Sequence, residues 1–269
     1  MSEASQSLPS LVAVLRTIEP IAVAVSGGID SLTLATIAHR HVAGAHMFHA
    51  VSPAVPSEAT ARVERLAGQE NWTLRIVDAG EFADPDYRRN PLNRCFFCKT
   101  NLYGAIAHHT AATIVSGANV DDLGEYRPGL DAAREHGVRH PYLEAGVGKR
   151  AVRQLARDIG LGDLSELPAA PCLSSRVETG IAIRPEVLRS IHAAETFIAA
   201  AMPVATVRCR VRAGGIVVEL DERSLAALND ALETAFRRHI GELFAGLLDE
   251  PPLRFAAYRN GSAFLRPTA

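Results

Sequence analysis

Residues 21–31, Ile-Ala-Val-Ala-Val-Ser-Gly-Gly-Ile-Asp-Ser, constrain the fold of this 269-residue chain more than any other stretch. Five apolar residues stop abruptly at Ser26-Gly27-Gly28, and Asp30 and Ser31 then open a helical pattern through Leu32, Leu34, Ala35 and Ile37. A buried parallel strand feeding a Gly-rich turn and a helix N-terminus makes an anion site, because free backbone N–H groups and the positive helix end converge there. Gly27 and Gly28 let the backbone turn sharply and approach a phosphate without a Cβ in the way. Asp30 favours the helix dipole and is placed to hold Mg²⁺. A plain strand-to-helix turn also uses glycine, but the six-residue string directly after an apolar strand is far more specific than a lone Gly pair. The feature predicts a nucleotide pyrophosphate site. It excludes the Walker loop, which ends in Gly-Lys-Ser/Thr.

The rest of the first part alternates short apolar runs with helical stretches. Strands are expected at 20–25, 44–51, 73–78 and 112–117, and helices at 31–41, 57–70, 97–109, 128–136 and 148–160. Such alternation means βαβ units and a parallel sheet covered on both faces, with ligands beyond the C-terminal strand ends. Residues 161–183 break the pattern with Gly, Pro and Ser. A helix at 184–200, strands at 204–212 and 215–220 and a helix at 222–246 then make a small second domain. The expected organisation is an α/β domain over 1–180 and an α+β C-terminal domain over 181–269.

With 48 % hydrophobic residues the chain has ample material for a core. A net charge of −2 argues against non-specific nucleic-acid binding as the main activity. The polar first ten residues lack a signal-peptide pattern, and no apolar run reaches the ~18–20 residues of a membrane span. A cytoplasmic protein without a membrane or nucleic-acid partner is the expectation. Arg supplies almost all the positive charge; Lys99 and Lys149 are the only lysines, and both lie in motif-rich stretches.

Four cysteines in such a chain point to metal or redox chemistry before disulfides. Cys95 and Cys98 form a C-x-x-C pair within one helical turn. Alone, the pair is open to reading as a redox dithiol, half a zinc site or two free cysteines. Cys172, in the loop Pro168-Ala169-Ala170-Pro171-Cys172, is the obvious third partner, and three thiolates without a fourth suit a cluster with one open iron. Arg94 and Lys99 would lower the thiol pKa values. Cys209 sits in an alternating strand and reads as a small core residue.

Ser116-Gly117-Ala118-Asn119-Val120-Asp121-Asp122 follows an apolar strand, so it reaches the same sheet edge as the Ser26–Ser31 loop. Asp121 and Asp122 are candidates for Mg²⁺ and the surroundings of the phosphates, against an ordinary Asn/Asp turn. Arg127 is a candidate anion ligand. Ser174, Ser175 and Arg176 put hydroxyls and a guanidinium beside a thiol. Arg208 and Arg210, two apart on a strand, share a face and suit a phosphate, against the commoner fate of a solvated strand face. His108 and His109 read as structural.

Together these residues resemble the PP-loop ATP pyrophosphatase superfamily, and within it the LarE family of ATP-dependent pyridinium-3,5-biscarboxylic acid mononucleotide sulfur transferases, which help build the nickel-pincer cofactor. The resemblance spans nearly the whole chain. It rests on Arg94-Cys95-Phe96-Phe97-Cys98-Lys99, on residues 117–129, on Pro168 to Arg176 and on Arg208-Cys209-Arg210 with Glu219. Tyr258-Arg259-Asn260-Gly261-Ser262 fits the family's C-terminal signature loosely, and Leu253–Ala257 lacks the acidic strand expected before it. The resemblance implies an adenine nucleotide alpha hydrolase-like first domain. It implies ATP and Mg²⁺ at Ser26, Gly27, Gly28, Asp30 and Ser31, with Asp121, Asp122 and Arg127 around them. A nucleotide-like carboxylate substrate would be held by Ser175, Arg176, Arg208 and Arg210. The substrate carboxylate becomes an acyl-adenylate, and sulfur at Cys172 displaces AMP. In single-cysteine members the equivalent of Cys172 is sacrificed. The three-cysteine pattern here implies instead a [4Fe–4S] cluster on Cys95, Cys98 and Cys172, a sulfide donor and a homo-oligomer. The competing readings are another PP-loop enzyme, such as a tRNA thiolase or an amide-forming ligase, and a non-catalytic nucleotide-binding regulator.

Overall fold

The computed structural model describes residues 3–124, 126–168, 171–249 and 251–263. The elements in chain order are α1 (Glu3–Arg16), β1 (Ile21–Ala24), α2 (Ile29–His41), β2 (His46–Val51), α3 (Ser57–Glu70), β3 (Thr73–Asp78), α4 (Pro85–Arg88), α5 (Arg94–His109), β4 (Thr113–Val115), α6 (Pro128–Glu135), α7 (Pro141–Glu144), α8 (Lys149–Asp158), α9 (Gly162–Ser165), α10 (Pro185–Ala201), β5 (Val207–Arg212), β6 (Gly215–Leu220), α11 (Glu222–Ala226), α12 (Asp230–Phe244) and β7 (Leu253–Ala257). Short 3-10 turns lie at Val120–Gly124 and Leu173–Arg176. Glu125, Ala169 and Ala170, which belong to the sequence motifs, lie outside the described residues.

The chain forms two compact units. The first runs to Glu81 and resumes at Asn93; the second takes Phe82–Leu92 and the chain from Pro171 onward. The first unit is an α/β domain on an all-parallel four-stranded sheet in the order β3-β2-β1-β4. All four β1 residues are buried, and alternate side chains feed opposite faces. Ile21 and Val23 pack with Leu11 and Leu15 of α1, Leu32 and Leu34 of α2 and Leu155 of α8. Ala22 and Ala24 pack with Tyr103 and Ile106 of α5 and Ala133 of α6. The small β1 residues on that second face accept the larger side chains of α5.

The strand order reverses at β1: the chain leaves it toward β2 and returns on its other side as β4. A crevice opens beyond the C-terminal strand ends at such a reversal. The loops after β1 and β4 therefore flank one site.

The second unit carries a smaller mixed sheet, β5-β6-β7. β5 and β6 form an antiparallel hairpin in register from Val207↔Leu220 to Arg212↔Gly215, and β7 runs parallel to β6. α10 packs on β5 and α12. The long helix expected at 222–246 is two helices. Asp221 accepts from the Ser224 N–H and Asn229 from the Leu232 N–H, so two side-chain caps in succession end and restart the helix. α1 and β7 were not legible in advance. Pro9 lies inside α1 and argues locally against a helix, yet Leu11 and Leu15 on its buried face secure it.

Leu34 is fully buried beneath β1. Leu34→Ala is expected to destabilise the first unit by about 2–5 kcal/mol, read from the urea midpoint at an unchanged denaturant slope.

Candidate functional site

In the first unit the loop after β1 is closed by two serines. Ser31 Oγ donates to the Gly28 carbonyl (3.0 Å), accepts from the Ser26 N–H (3.0 Å) and lies 3.1 Å from Ser26 Oγ. Gly27 has φ +81°, and a Cβ there would sit 2.7 Å from the Ala59 carbonyl oxygen, so only glycine fits. Arg62 Nε fixes the Gly27 carbonyl at 2.9 Å. α2 starts at Gly28 with no side-chain cap, which leaves first-turn N–H groups of a 13-residue helix for a ligand.

The loop after β4 closes on this one. A Cβ on Gly117 would meet the Ser31 nitrogen at 3.0 Å and the Asp30 carbonyl carbon at 3.1 Å, so the two backbones touch. Asn119 is buried and bonds three ways. Its Oδ1 accepts from the Asp121 N–H (3.1 Å), its own N–H donates to Asp122 Oδ2 (3.0 Å), and its Nδ2 reaches Asp30 Oδ1 at 3.5 Å. Asp121 Oδ2 accepts from the Lys149 backbone N–H (2.6 Å), tying the start of α8 to this loop. Asp122 Oδ1 pairs with Arg127 at 2.8 Å. Tyr142, fully buried, donates from its hydroxyl to the Asp30 carbonyl (3.0 Å). Ser116 Oγ lies 2.9 Å from His140 Nδ1, and burial pushes the His140 pKa down.

The Asp30 carboxyl is shifted up. Burial is the largest cause; Asp122 adds to it, while Lys149 and Arg153 oppose it. A partly desolvated carboxylate among uncapped helix N–H groups suits a cation that arrives together with an anion, which describes a metal-bound polyphosphate. Of the residues expected around a nucleotide, Ser26, Gly27, Gly28, Asp30 and Ser31 lie on one loop and its helix, and the segment carrying Asp121 and Asp122 borders it. Asp121 and Asp122 also hold α8 and Arg127 in place.

In the second unit, Cys172 precedes the 3-10 turn Leu173–Arg176 and is half-buried. Ser174 Oγ lies 2.7 Å from the Tyr87 hydroxyl, which ties the turn to α4. Arg176 is buried and fully engaged. Its Nε and Nη2 hold both oxygens of Glu195 at 3.0 Å each, and its Nη1 holds the carbonyls of Pro171 (2.7 Å) and Cys172 (3.2 Å) and Ser175 Oγ (3.1 Å). Arg210 is also buried, with Nε on Glu219 Oε2 (2.6 Å) and Nη1 on the Ser175 carbonyl (3.1 Å). Glu219 Oε1 takes Arg212 (2.6 Å) and Ser262 (2.7 Å). Arg208 is half-buried, donates to its neighbour's carbonyl (2.7 Å) and lies 5.9 Å from the Tyr258 ring. Its pKa is lowered, first by burial and then by Arg176. The four residues expected to grip a substrate thus separate. Arg176 and Arg210 organise the Cys172 turn through buried carboxylates, with Ser175 between them. Arg208 stands on the same strand as Arg210, beside the Tyr258 ring.

Cys95 and Cys98 lie in the first turns of α5, in the first unit, whereas Cys172 belongs to the second. Among the described residues no group of three or more His, Cys, Asp or Glu side chains is placed to hold a metal ion. Cys209 is buried in β5, where burial pushes its thiol up, in keeping with a core residue. Tyr142 and Glu195 were not singled out from the sequence. Glu195 did carry a signal, as a lone acid among Leu188, Ile191, Ala194 and Ile198 on the buried face of α10.

No protein-family model matches the chain. It is 37 % identical over 183 residues to an uncharacterized protein of Synechocystis sp., covering 65 % of this chain and 67 % of the relative. The chain belongs to the family of this Synechocystis protein. An uncharacterized protein of Methanocaldococcus jannaschii is 26 % identical over 182 residues, 66 % of this chain and 69 % of the relative. A pyridinium-3,5-bisthiocarboxylic acid mononucleotide synthase of Lactiplantibacillus plantarum is 28 % identical over 220 residues, 79 % of each chain. This is a distant PP-loop-type relationship, and with the parallel sheet it gives the family a general resemblance to nucleotide-handling PP-loop enzymes. No helix among the described residues is long and apolar enough to cross a membrane.

Two outcomes follow from the charges. The Asp30 carboxyl has a native pKa above its ordinary 3.8, so the native state holds more protons than the unfolded one in that window. Stability attributable to it falls as pH rises from about 3.8 through the raised value. Asp30→Asn should therefore melt no lower than the parent at pH 7, with a flatter stability profile across the acid range in thermal scans. Glu195→Gln removes the carboxylate that holds buried Arg176 and should cost about 3–5 kcal/mol in chemical denaturation. Replacing Arg176 and Glu195 together by Met should recover most of that loss.

Proposed function

We propose that the protein is an ATP-dependent sulfur transferase that adenylates the carboxylate of pyridinium-3,5-biscarboxylic acid mononucleotide and converts it to a thiocarboxylate, in nickel-pincer cofactor biosynthesis. The observation that carries this reading is the Ser26–Ser31 loop. It leaves the α2 N-terminus open for phosphates with the partly desolvated Asp30 carboxyl beside it. The relationship to the synthase supports this choice of substrate. The reading places the protein in the cytoplasm as a homo-oligomer that works on small molecules.

In this reading the backbone N–H groups of Gly27 to Ser31 bind the pyrophosphate portion of ATP, and Asp30 with Asp122 faces the Mg²⁺ that accompanies it. Asp121 and Arg127 keep the neighbouring loop in place. A substrate carboxylate oxygen attacks the α-phosphorus, the bond to the bridging oxygen breaks, and pyrophosphate leaves. Sulfur delivered at Cys172 attacks the acyl carbon, AMP leaves, and a thiocarboxylate remains. Arg208, half-buried on β5, is the proposed contact for the substrate's phosphate and second carboxylate. Arg176, Arg210 and Ser175 hold the Cys172 turn against that charge.

Cys95, Cys98 and Cys172 are the proposed thiolates of a [4Fe–4S] cluster. When bound, such a cluster would supply sulfide for transfer at its open iron. The decisive assay measures pyrophosphate release over a panel of carboxylates, with mass analysis of products and protein. Pyridinium biscarboxylate mononucleotide should stimulate release, and Cys172→Ala should retain release while losing thiocarboxylate. No stimulation by any carboxylate would refute the reading. About four irons per anaerobically reconstituted chain with Cys172 intact after turnover would support the cluster. Iron-free activity with loss of one H₂S from Cys172 would refute it.

A further inference from the structure

Gly117 and Gly129 bracket a segment that touches two places at once. Gly117 lies against the nucleotide loop, where a Cβ would meet the Ser31 nitrogen at 3.0 Å. Gly129 lies in the first turn of α6, where a Cβ would meet Lys99 Cγ at 3.1 Å and the Cys95 carbonyl oxygen at 3.6 Å. The segment therefore runs from the loop after β1 to the Cys95–Cys98 turn of α5, and all of these residues belong to the first unit. A carboxylate activated at that loop carries its ring only a short chain of bonds from the α-phosphorus. The ring must then rest on residues that border the loop.

The same segment shows large apolar side chains to water. Val120 is 40 % exposed, Leu123 63 % and Tyr126 57 %; among the described residues Ile76 is the one other large hydrophobic side chain so exposed. One exposed apolar residue is ordinary, but a group of them beside an anion loop marks a contact surface. Tyr126 is its aromatic member, and among the described residues no hydrogen bond, ring or cation contact engages it. It precedes Arg127, which pairs with Asp122 at 2.8 Å, and the charge of Asp122 is felt at Asp30. The ring is thus tied through its neighbour to the acids of the nucleotide loop. A pyridinium ring carries a fixed positive charge on a flat aromatic body. The negative face of a phenol ring attracts such a cation and stacks on it at the same time.

We infer that Tyr126 stacks on the pyridinium ring of the carboxylate substrate and selects a ring of fixed positive charge, an assignment that rests on the proposed sulfur-transfer reading. A neutral aromatic dicarboxylate fills nearly the same space and lacks the charge. Tyr126 therefore acts on this substrate and not on ATP. Its side chain is exposed, so substitution removes nothing from the core.

The test measures ATP-dependent pyrophosphate release by the full chain with pyridinium-3,5-biscarboxylic acid mononucleotide, for the parent, Tyr126→Phe and Tyr126→Leu. Two competitors are compared, N-methylpyridinium-3,5-dicarboxylate and pyridine-3,5-dicarboxylate, the first cationic at its ring and the second neutral there. Tyr126→Leu should raise KM by about 3–30-fold, the range of one cation–ring contact, with kcat and Mg·ATP affinity within about twofold of the parent. The parent should favour the N-methylated competitor; Tyr126→Phe should keep that preference and Tyr126→Leu should lose it. Equal inhibition of the parent by both competitors, or a preference that survives in Tyr126→Leu, overturns the assignment of Tyr126 alone. So does a fall in the sedimentation mass of Tyr126→Leu, which gives the exposed face to a second copy of the chain. Parent protein that binds Mg·ATP but releases no pyrophosphate with any carboxylate overturns the sulfur-transfer reading and this assignment with it.

Discussion

The hydroxyl of Ser31 is the interaction on which the nucleotide loop depends. It donates to the Gly28 carbonyl and accepts from the Ser26 N–H at once, and so converts a flexible Gly-Gly turn into a closed ring. The loop engages two backbone donors, the Ser26 N–H on Ser31 Oγ and the Gly28 N–H on Ser26 Oγ (3.4 Å), and gives the start of α2 no side-chain cap. Most helices satisfy their first donors with a side chain. Here the helix is held open, and its stability comes from the apolar face it buries under β1 and against α8. Packing thus keeps uncapped a helix start that local capping would have closed.

The same division of labour explains the burial of Asp30. A carboxyl this desolvated is unfavourable in the empty protein, and Lys149 and Arg153 only partly offset the cost. Fixed groups reduce reorganisation when charge develops beside them, so a buried carboxyl that is costly by itself suits a site where charge is handled. Asp121 and Asp122 serve this end indirectly. They hold α8 and Arg127, and so determine which charges stand around the loop.

The parallel sheet and the loop after β1 were legible because both are local. A continuous apolar run says strand, and glycines followed by Asp and Ser say turn and helix start. The joining of Phe82–Leu92 to the second unit was not legible, since it depends on distant partners such as the Asn90 side chain, which donates to the carbonyls of Glu178 (2.8 Å) and Ile181 (2.9 Å). α1 was hidden by Pro9, and the break at 227–229 by the apolar residues on either side of it. Asn229 and Asp221, both good caps, were the signals that would have divided that helix.

The arginines of β5 mark the limit of pattern reading more sharply. Period-two spacing correctly puts Arg208, Arg210 and Arg212 on one face, but it carries no information about what that face meets. Glu219 on the neighbouring strand engages Arg210 and Arg212, and Glu195 from α10 engages Arg176 while also accepting the Cys209 N–H at 2.9 Å. Buried ion pairs of this kind add little net stability, because desolvation offsets most of the attraction. Their consequence is geometric. Two rigid forks fix the backbone carbonyls of Pro171, Cys172 and Ser175, so the turn bearing Cys172 is set by charge pairs and not by the loop's own sequence. A residue that looks like a ligand in the sequence can therefore act one step removed, by holding a neighbouring turn in place.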